Sequence, residues 1–349
     1  MAASVRLEDF LEGIASRRGE SGTAIAATVM ALADAGRTLA DIAGSGLLTG
    51  KLAAVRGGTA FEHMQKEVDL QADAIVVDAL RTAPVAVVGS EEMDEPLVLA
   101  PKAPLAVAID PLDGSSNVNT NAPIGTIFSI LRMPENGAGA FETVFVQRGR
   151  DQLAAGFLIY GPHTALVLTL GKGTQIFTLD RVRDVFVLTV QRARVPERTR
   201  EYAINGSNQR HWDEAIQLYV QDCQHGGDGP RGEDFNMRWT ASMVAEAYRI
   251  FMRGGVYLYP ADARQGYAEG RLRLVYEANP IAFLMEQAGG AAIDGRRSIL
   301  DIVPRSLHQR VPLIFGSRAE VERIARYCTG PAALGERSPL FGNRSLFRM

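Results

Sequence analysis

The sequence predicts a protein of class α+β / α/β in two units: an N-terminal, largely antiparallel sheet with helices, then a C-terminal mixed sheet flanked by helices. Three observations carry that expectation. Amphipathic helical spacing dominates the chain up to residue 83. From Thr126 to Gln191, apolar runs of strand length follow one another through tight turns, which is the pattern of hairpins. Beyond residue 201, helix and strand patterns alternate, which favours a partly parallel sheet.

Taken in order, residues 23–56 and 60–83 read as helices, the second placing Met64, Val68, Ile75, Val76 and Leu80 on one face. VAVVGSEE and LAVAIDPLDG read as buried strands that end in acidic turns. TIFSILRM, AAGFLIYG, TALVLTL, TQIFTLD and DVFVLTVQ read as a meander turning at GPH and GKG. The charged run 192–201, interrupted by Pro196, reads as a linker. EYAIN, VYLYP, LRLVYE and VPLIFGS read as strands of the second unit. WDEAIQLYVQD, RWTASMVAEAYRIFMRGG, NPIAFLMEQAGG and RAEVERIARYC read as its helices. The expected units are residues 1–195 and 196–332, with 333–349 as a tail, and the glycine-rich stretch HGGDGPRGEDFN reads as a mobile loop.

Composition excludes several classes of function. A net charge of −3 gives no basic footprint for nucleic acid. The N-terminus meets charge at once, and SGTAIAATVMALA is too short to cross a bilayer, so a cytoplasmic protein without membrane contact is expected. Cys223 and Cys328 are far apart and read as buried small hydrophobes, with no zinc or disulfide pattern.

The chemistry concentrates in AIDPLDGSSN, residues 108–117. Val107, Ala108 and Ile109 read as the end of a buried strand, delivering Asp110 and Asp113 beside a turn stiffened by Pro111. Such a pair makes a cation cage, while Gly114, Ser115 and Ser116 at the start of a helix offer N–H and O–H groups to an anion. Glu91 and Glu92 follow an apolar strand in the same way. Asp69 sits on the apolar face of the second helix, where an unpaired carboxylate is costly, and Glu277 ends LRLVYE and enters a helix through NP. Singly, each reads as a turn or helix cap. Together they are hard oxygen donors, enough for two or three Mg²⁺ ions, and they suit phosphate chemistry better than zinc chemistry.

From about residue 60 to 330 the chain resembles the class I fructose-1,6-bisphosphatases, in a superfamily that includes the inositol monophosphatases. The motifs that carry the resemblance are Ser90 to Glu92, Asp110 to Asn117, Gly125 to Phe128, Ala241 to Val244, Gly254 to Ala261, Leu272 to Pro280 and Glu286 to Gly290. The resemblance implies the layered α-β-α-β-α sugar-phosphatase fold. It also implies Mg²⁺-dependent hydrolysis of the 1-phosphate of fructose 1,6-bisphosphate, in gluconeogenesis or a carbon-fixation cycle, with Mn²⁺ as a substitute ion. Glu91, Asp110, Asp113, Glu277 and the carbonyl of Leu112 are implied metal ligands, and Asp69 and Glu92 the carboxylates that polarise the attacking water. Asp113, Gly114, Ser115 and Ser116 are implied to hold the 1-phosphate. Asn205, Tyr257, Leu258, Tyr259 and Arg271 are implied at the distal phosphate, and Arg238 is implied to reach it across a subunit interface. A homotetramer or dimer follows from that last match.

The chain departs from the family pattern at several positions. Arg271 replaces a lysine, Asn208 and Trp239 replace tyrosines, and His63, beside Glu62, stands where an acid assists a third metal. Pro104 and Leu105 replace a Lys-Tyr pair of AMP-inhibited relatives, and RRGESGT is a poor echo of their N-terminal turn, so weak or absent AMP inhibition is expected. RMPENGAGAFETVF has no cysteine for a disulfide switch. The alternatives are a dual fructose-1,6-/sedoheptulose-1,7-bisphosphatase, an inositol monophosphatase and an inactive sugar-phosphate sensor. Absence of GxGxxG after a strand argues against a dinucleotide-binding protein.

Overall fold

A computed structural model describes residues 5–45, 58–134 and 141–330, and the side chains of 66–134 and 143–330 within the last two spans. Helix α1 (Leu7–Ser45) and helix α2 (Gly58–Leu80) come first. A sheet of eight strands follows: β1 (Val85–Ser90), β2 (Leu97–Val98), β3 (Leu105–Asp113), β4 (Ile124–Arg132), β5 (Ala154–Tyr160), β6 (Thr164–Thr169), β7 (Thr174–Asp180) and β8 (Val185–Ala193). Its order is β2-β1-β3-β4-β5-β6-β7-β8. Only β1 and β3 run parallel; every other neighbour is antiparallel.

The second sheet holds β9 (Glu201–Ala203), β10 (Asn236–Met237), β11 (Val256–Tyr259), β13 (Ala291–Ile293) and β15 (Leu313–Gly316), in the order β10-β9-β11-β15-β13. It is mixed, with β10, β9 and β11 parallel and β15 antiparallel to both its neighbours. A separate ribbon pairs β12 (Leu272–Arg273) with β14 (Arg310–Val311). Helices α3 (Glu214–Gln224), α4 (Met243–Arg253), α5 (Asn279–Gln287) and α6 (Arg318–Thr329) complete the second half.

Alternation of side chains along the strands sorts these elements into five layers. Ala154, Leu158 and Tyr160 of β5 face α1 and α2, while Ala155, Phe157 and Ile159 face α4 and α5. The same middle layer of helices receives Tyr257, Leu313 and Phe315 from the second sheet. Val256, Leu258 and Ile314 point the other way, onto α3 and α6. The expected order α-β-α-β-α is therefore built from period-two strands, and α4 and α5, apolar toward both sheets, form its centre.

Several local expectations are corrected. Helix α1 starts at Leu7 rather than residue 23, because Leu7, Leu11 and Ile14 already form a buried stripe; Gly19, at φ 60, kinks it. Residues 46–56 of the expected helix lie outside the described residues, and α2 ends at Leu80 rather than 83. Strand β3 does not stop at Ile109 but runs on to Asp113, with a register shift between Asp110 and Asp113. Only Leu272 and Arg273 of LRLVYE are strand; Leu274–Ala278 form a π-helical turn leading into α5. Helix α4 begins at Met243, after the Ser242 cap, and the linker shrinks to 194–200. The stretch HGGDGPRGEDFN is anchored: the Gly227 N–H donates to Asp234 at 2.9 Å, and Arg231 is buried against Glu320 and stacks on Phe235. Cys223 is buried as expected, but Cys328 is only half-buried. The expected tail, 333–349, lies outside the described residues.

Candidate active site

Two adjacent strand ends deliver the acids. Strands β1 and β3 run parallel, and the Glu91 N–H donates to the Ile109 carbonyl at 3.1 Å, so the residues after β1 lie beside Asp110. The Asp110 carboxylate folds back to accept the Leu112 N–H at 3.0 Å, a tie that fixes the turn through Pro111. Leu112 packs its side chain into the core. Asp113 accepts the Val244 N–H at 3.1 Å at the start of α4, where free N–H groups favour a carboxylate. Gly125 allows this approach of α4: a Cβ there would stand 2.1 Å from the Leu158 carbonyl and 2.8 Å from Val244.

Glu277 arrives from the π-helical turn, whose wider winding directs its carboxylate back onto the Arg273 N–H. Carboxylate oxygens of Asp110, Asp113 and Glu277 all lie within 4.8 Å of one another, and all three residues are buried. Such crowding must raise their proton affinity. Burial, then the charges of Glu91 and Asp113, holds Asp110 well above the usual carboxylate range. Burial, then Glu91, does the same to Glu277, and burial pushes Asp113 up to about 7. Glu91 is raised by burial and partly restored by the charge of Arg273.

A second acidic pair stands alongside. Burial pushes Asp69 up to about 6, against a hydrogen bond from Ser115, and its Oδ1 is buried without a partner among the described residues. Glu92 is exposed, yet partial loss of hydration and the charges of Asp69 and Glu91 push it up to about 7. Asp73, one helical turn after Asp69, accepts the Ser90 hydroxyl at 2.5 Å and so ties α2 to the end of β1. Sequence reading missed Asp73; its place four residues after Asp69 on the same face was the available signal.

The Gly114–Ser116 turn is built as expected. Gly114 adopts φ 77, a left-handed conformation that a side chain disfavours, and Ser115–Thr120 form a short 3₁₀ helix. Asn117 Nδ2 donates to the Ala241 carbonyl at 2.9 Å and holds this turn against the residues before α4. Donor set, burial and raised proton affinity fit hard divalent cations at Asp110, Asp113, Glu277 and Glu91. The side chains of Glu62 and His63 lie outside the described residues.

The distal residues are more dispersed. Arg271 extends over the rings of Tyr259 at 5.9 Å and Tyr267 at 4.7 Å, and Arg264 stacks on the same Tyr267 at 4.7 Å. Trp239 stacks on Tyr257, 5.8 Å apart and 10° from parallel. Tyr257 and Leu258 are buried in opposite faces of the second sheet. Asn205 caps a 3₁₀ turn by accepting from Ser207, and the Asn208 N–H donates to its carbonyl. Arg238 pairs with Glu201 at 3.5 Å. A cavity of about 370 Å³ joins Arg271 and Tyr267 to Glu91 and Glu277, and Arg273 and Arg310 also line it. A larger hollow of about 850 Å³, walled by Arg198, Arg231, Glu320 and Arg326 among others, includes none of the expected site residues.

Comparison with known proteins accords with this architecture. Residues 19–191 match the family described as fructose-1-6-bisphosphatase, N-terminal domain, and residues 195–329 match its C-terminal domain. The chain is 53% identical over 343 residues to the fructose-1,6-bisphosphatase class 1 of Rhizobium meliloti (strain 1021), covering 98% of each. It is 54% identical over 327 residues to one from Nitrobacter hamburgensis, covering 93% of this chain and 94% of that one. The crystal structure of Leishmania major fructose-1,6-bisphosphatase in holo form superposes with a TM-score of 0.82 at 28% identity, covering 93% of this chain and 99% of that one.

Proposed function

The chain belongs to the class 1 fructose-1,6-bisphosphatase family, and from that premise we propose which of its residues perform the hydrolysis of fructose 1,6-bisphosphate to fructose 6-phosphate and phosphate. The observation that carries the assignment is the buried triad of Asp110, Asp113 and Glu277, whose converging oxygens need a divalent cation to remain ionised at neutral pH. Asp110, Asp113, Glu277, Glu91 and the Leu112 carbonyl hold Mg²⁺, with Mn²⁺ as a substitute. Bound there, the metal supplies Lewis acidity and a water of lowered proton affinity.

The chain's own groups do the rest. Gly114, Ser115 and Ser116 receive the 1-phosphate, and Ser115 at the same time orients Asp69 through its hydrogen bond. Asp69 and Glu92, each with a raised proton affinity, take the proton from the attacking water, a role suited to groups that titrate near neutrality. Arg271, with Tyr259, Asn205 and the partner-facing Arg238, anchors the distal phosphate and selects a bisphosphate over a monophosphate. Trp239 closes this end with a flat aromatic wall where relatives carry a phenol.

The division into units of residues 1–195 and 196–332 is supported by the two family matches, which meet between residues 191 and 195. A cytoplasmic homotetramer or dimer completes the proposal; no helix among the described residues is long and apolar enough to cross a membrane. The test is phosphate release from fructose 1,6-bisphosphate, sedoheptulose 1,7-bisphosphate and inositol 1-phosphate, with and without Mg²⁺, repeated for Asp113→Ala. Metal-dependent release from the first sugar that collapses in the variant supports the assignment. Full activity of Asp113→Ala refutes it.

A further inference from the structure

Three arginines line the cavity beside the metal-binding carboxylates, and among the described residues Arg271, Arg273 and Arg310 form no ion pair. Arg273 and Arg310 are direct register partners across the antiparallel β12–β14 ribbon, so their side chains leave the same face with Cβ atoms about 5 Å apart. Like charges opposed in this way destabilise a ribbon. Each guanidinium is nonetheless held in place by a neutral acceptor: Arg273 Nε donates to the Tyr276 hydroxyl at 3.1 Å and Arg310 Nη1 to the Gly266 carbonyl at 3.2 Å. Glu91 and Glu277 are the counter-charges that the protein offers Arg273, and Glu91 serves Arg310 as well. Both acids are assigned above to divalent cations, and once cations take up that charge a dianion is the complement of the guanidiniums.

We propose that Arg310, opposed to Arg273, completes a two-guanidinium fork for an inorganic phosphate dianion, and that this fork holds the phosphate product after the sugar has dissociated. The inference rests on the proposed function and adds to it a residue outside the family motifs quoted above. Two planar guanidiniums fixed on one ribbon face match the tetrahedral oxygens of phosphate better than one mobile charge does. The acceptor that fixes Arg310 is itself fixed. Gly270, at φ 81, lies so close to β14 that a Cβ would stand 2.4 Å from the Pro312 nitrogen, which docks the loop carrying Gly266 against the ribbon. A cavity of about 370 Å³ accommodates a small ligand of this kind.

The experiment is calorimetric titration of the Mg²⁺-loaded protein with inorganic phosphate and, separately, with fructose 6-phosphate, together with the product-inhibition constant for phosphate. Arg310→Gln is expected to weaken phosphate binding and inhibition at least about 10-fold, with fructose 6-phosphate affinity changed less than about twofold. Arg310→Lys is expected to recover part of the loss, keeping the charge without the fork. Phosphate affinity within twofold of wild type in Arg310→Gln overturns the proposal. An equal loss for both ligands also overturns it, because Arg310 then serves the distal phosphate or the loop itself. If the glutamine variant fails to fold by circular dichroism, Arg310→Lys and Arg310→Met are judged by the same ratio. Failure of the wild type to hydrolyse fructose 1,6-bisphosphate bears on the functional reading alone, since phosphate binding is scored without turnover.

Discussion

Replacing Asp113 with asparagine should make the metal-free protein more stable while abolishing its activity. Asp113 is buried, and its carboxyl rises from the usual 3.8 to about 7, chiefly through lost hydration, with N–H groups of Val244 and Met243 opposing and Glu91 adding to the rise. Each tenfold change in a protonation equilibrium is worth about 1.4 kcal/mol, so keeping this group ionised inside the fold costs about 4 kcal/mol. Below pH 4 both folded and unfolded chains are protonated and the cost vanishes. Between pH 4 and 7 the unfolded chain releases its proton first, so stability falls as pH rises; above 7 the loss is complete. Asparagine keeps the size and an oxygen that accepts the Val244 N–H at 3.1 Å, so the structural tie survives while the charge does not. Unfolding entropy of about 2.1 cal/mol/K per residue gives about 0.7 kcal/mol/K for 349 residues. The variant should therefore melt about 5 °C higher than wild type at pH 8 in chelator, and only about a third of that higher at pH 5. Differential scanning calorimetry measures both, and phosphate release measures the lost activity. A variant no more stable at pH 8, or one stabilised equally at pH 4 and pH 8, refutes the argument that this carboxylate is held in the fold against its own solvation.

Four further outcomes are expected. Mg²⁺ at a hundred times its Kd should stabilise the wild type by about 2.7 kcal/mol. Its affinity, read from the shift of melting temperature with Mg²⁺ concentration, should rise between pH 6 and 8, because the raised carboxyls must release protons to bind it. Asp69→Asn and Glu92→Gln should each lower kcat by about 100-fold or more with KM changed less than about threefold; steady-state kinetics that show the reverse split assign these groups to binding instead. Tyr267→Ala removes the ring on which Arg264 and Arg271 both stack, at 4.7 Å each, and should raise KM for fructose 1,6-bisphosphate about threefold with kcat within twofold. Gly270→Ala forces a Cβ against the Pro312 backbone at φ 81, and the strain of about 1–3 kcal/mol should appear as a melting temperature lowered by several degrees.

The acidic core of the site was legible because its chemistry is local. Asp110 and Asp113 lie three residues apart, Glu91 follows an apolar strand, and the short unbroken apolar runs VAVV and LAVAI declare both strands. The layering followed for a related reason: strands such as β5 and β15 are apolar on both faces, which only a sheet covered on both sides can bury. Helical starts were less legible. Gly19 and Gly22 separate the first turns, with their buried Leu7, Leu11 and Ile14, from the apolar pattern of the rest of α1. LRLVYE misled because its apolar run has strand length, whereas Pro280 at the start of α5 lets the helical winding begin upstream at Leu274.

Arg271 and Arg238 were legible through the family motifs, but the pairing of Arg273 with Arg310 was not, and the reason is topological rather than chemical. Arg273 and Arg310 are separated in the chain by α5, β13 and a long connection, and nothing in either neighbourhood marks the pairing. Their opposition exists only once β15 has taken its place between β11 and β13, because β14 immediately precedes β15 and is carried to β12 with it. The β15 pairings are fixed by burial of Leu313, Ile314 and Phe315 on two different layers, so a one-residue slip would exchange those faces and displace Arg310 as well. The phosphate fork is thus set by the register of the core. A hydrophobic-to-polar substitution at Ile314, far from any acid of the site, should weaken phosphate binding together with stability, whereas Arg310→Gln should weaken phosphate binding alone.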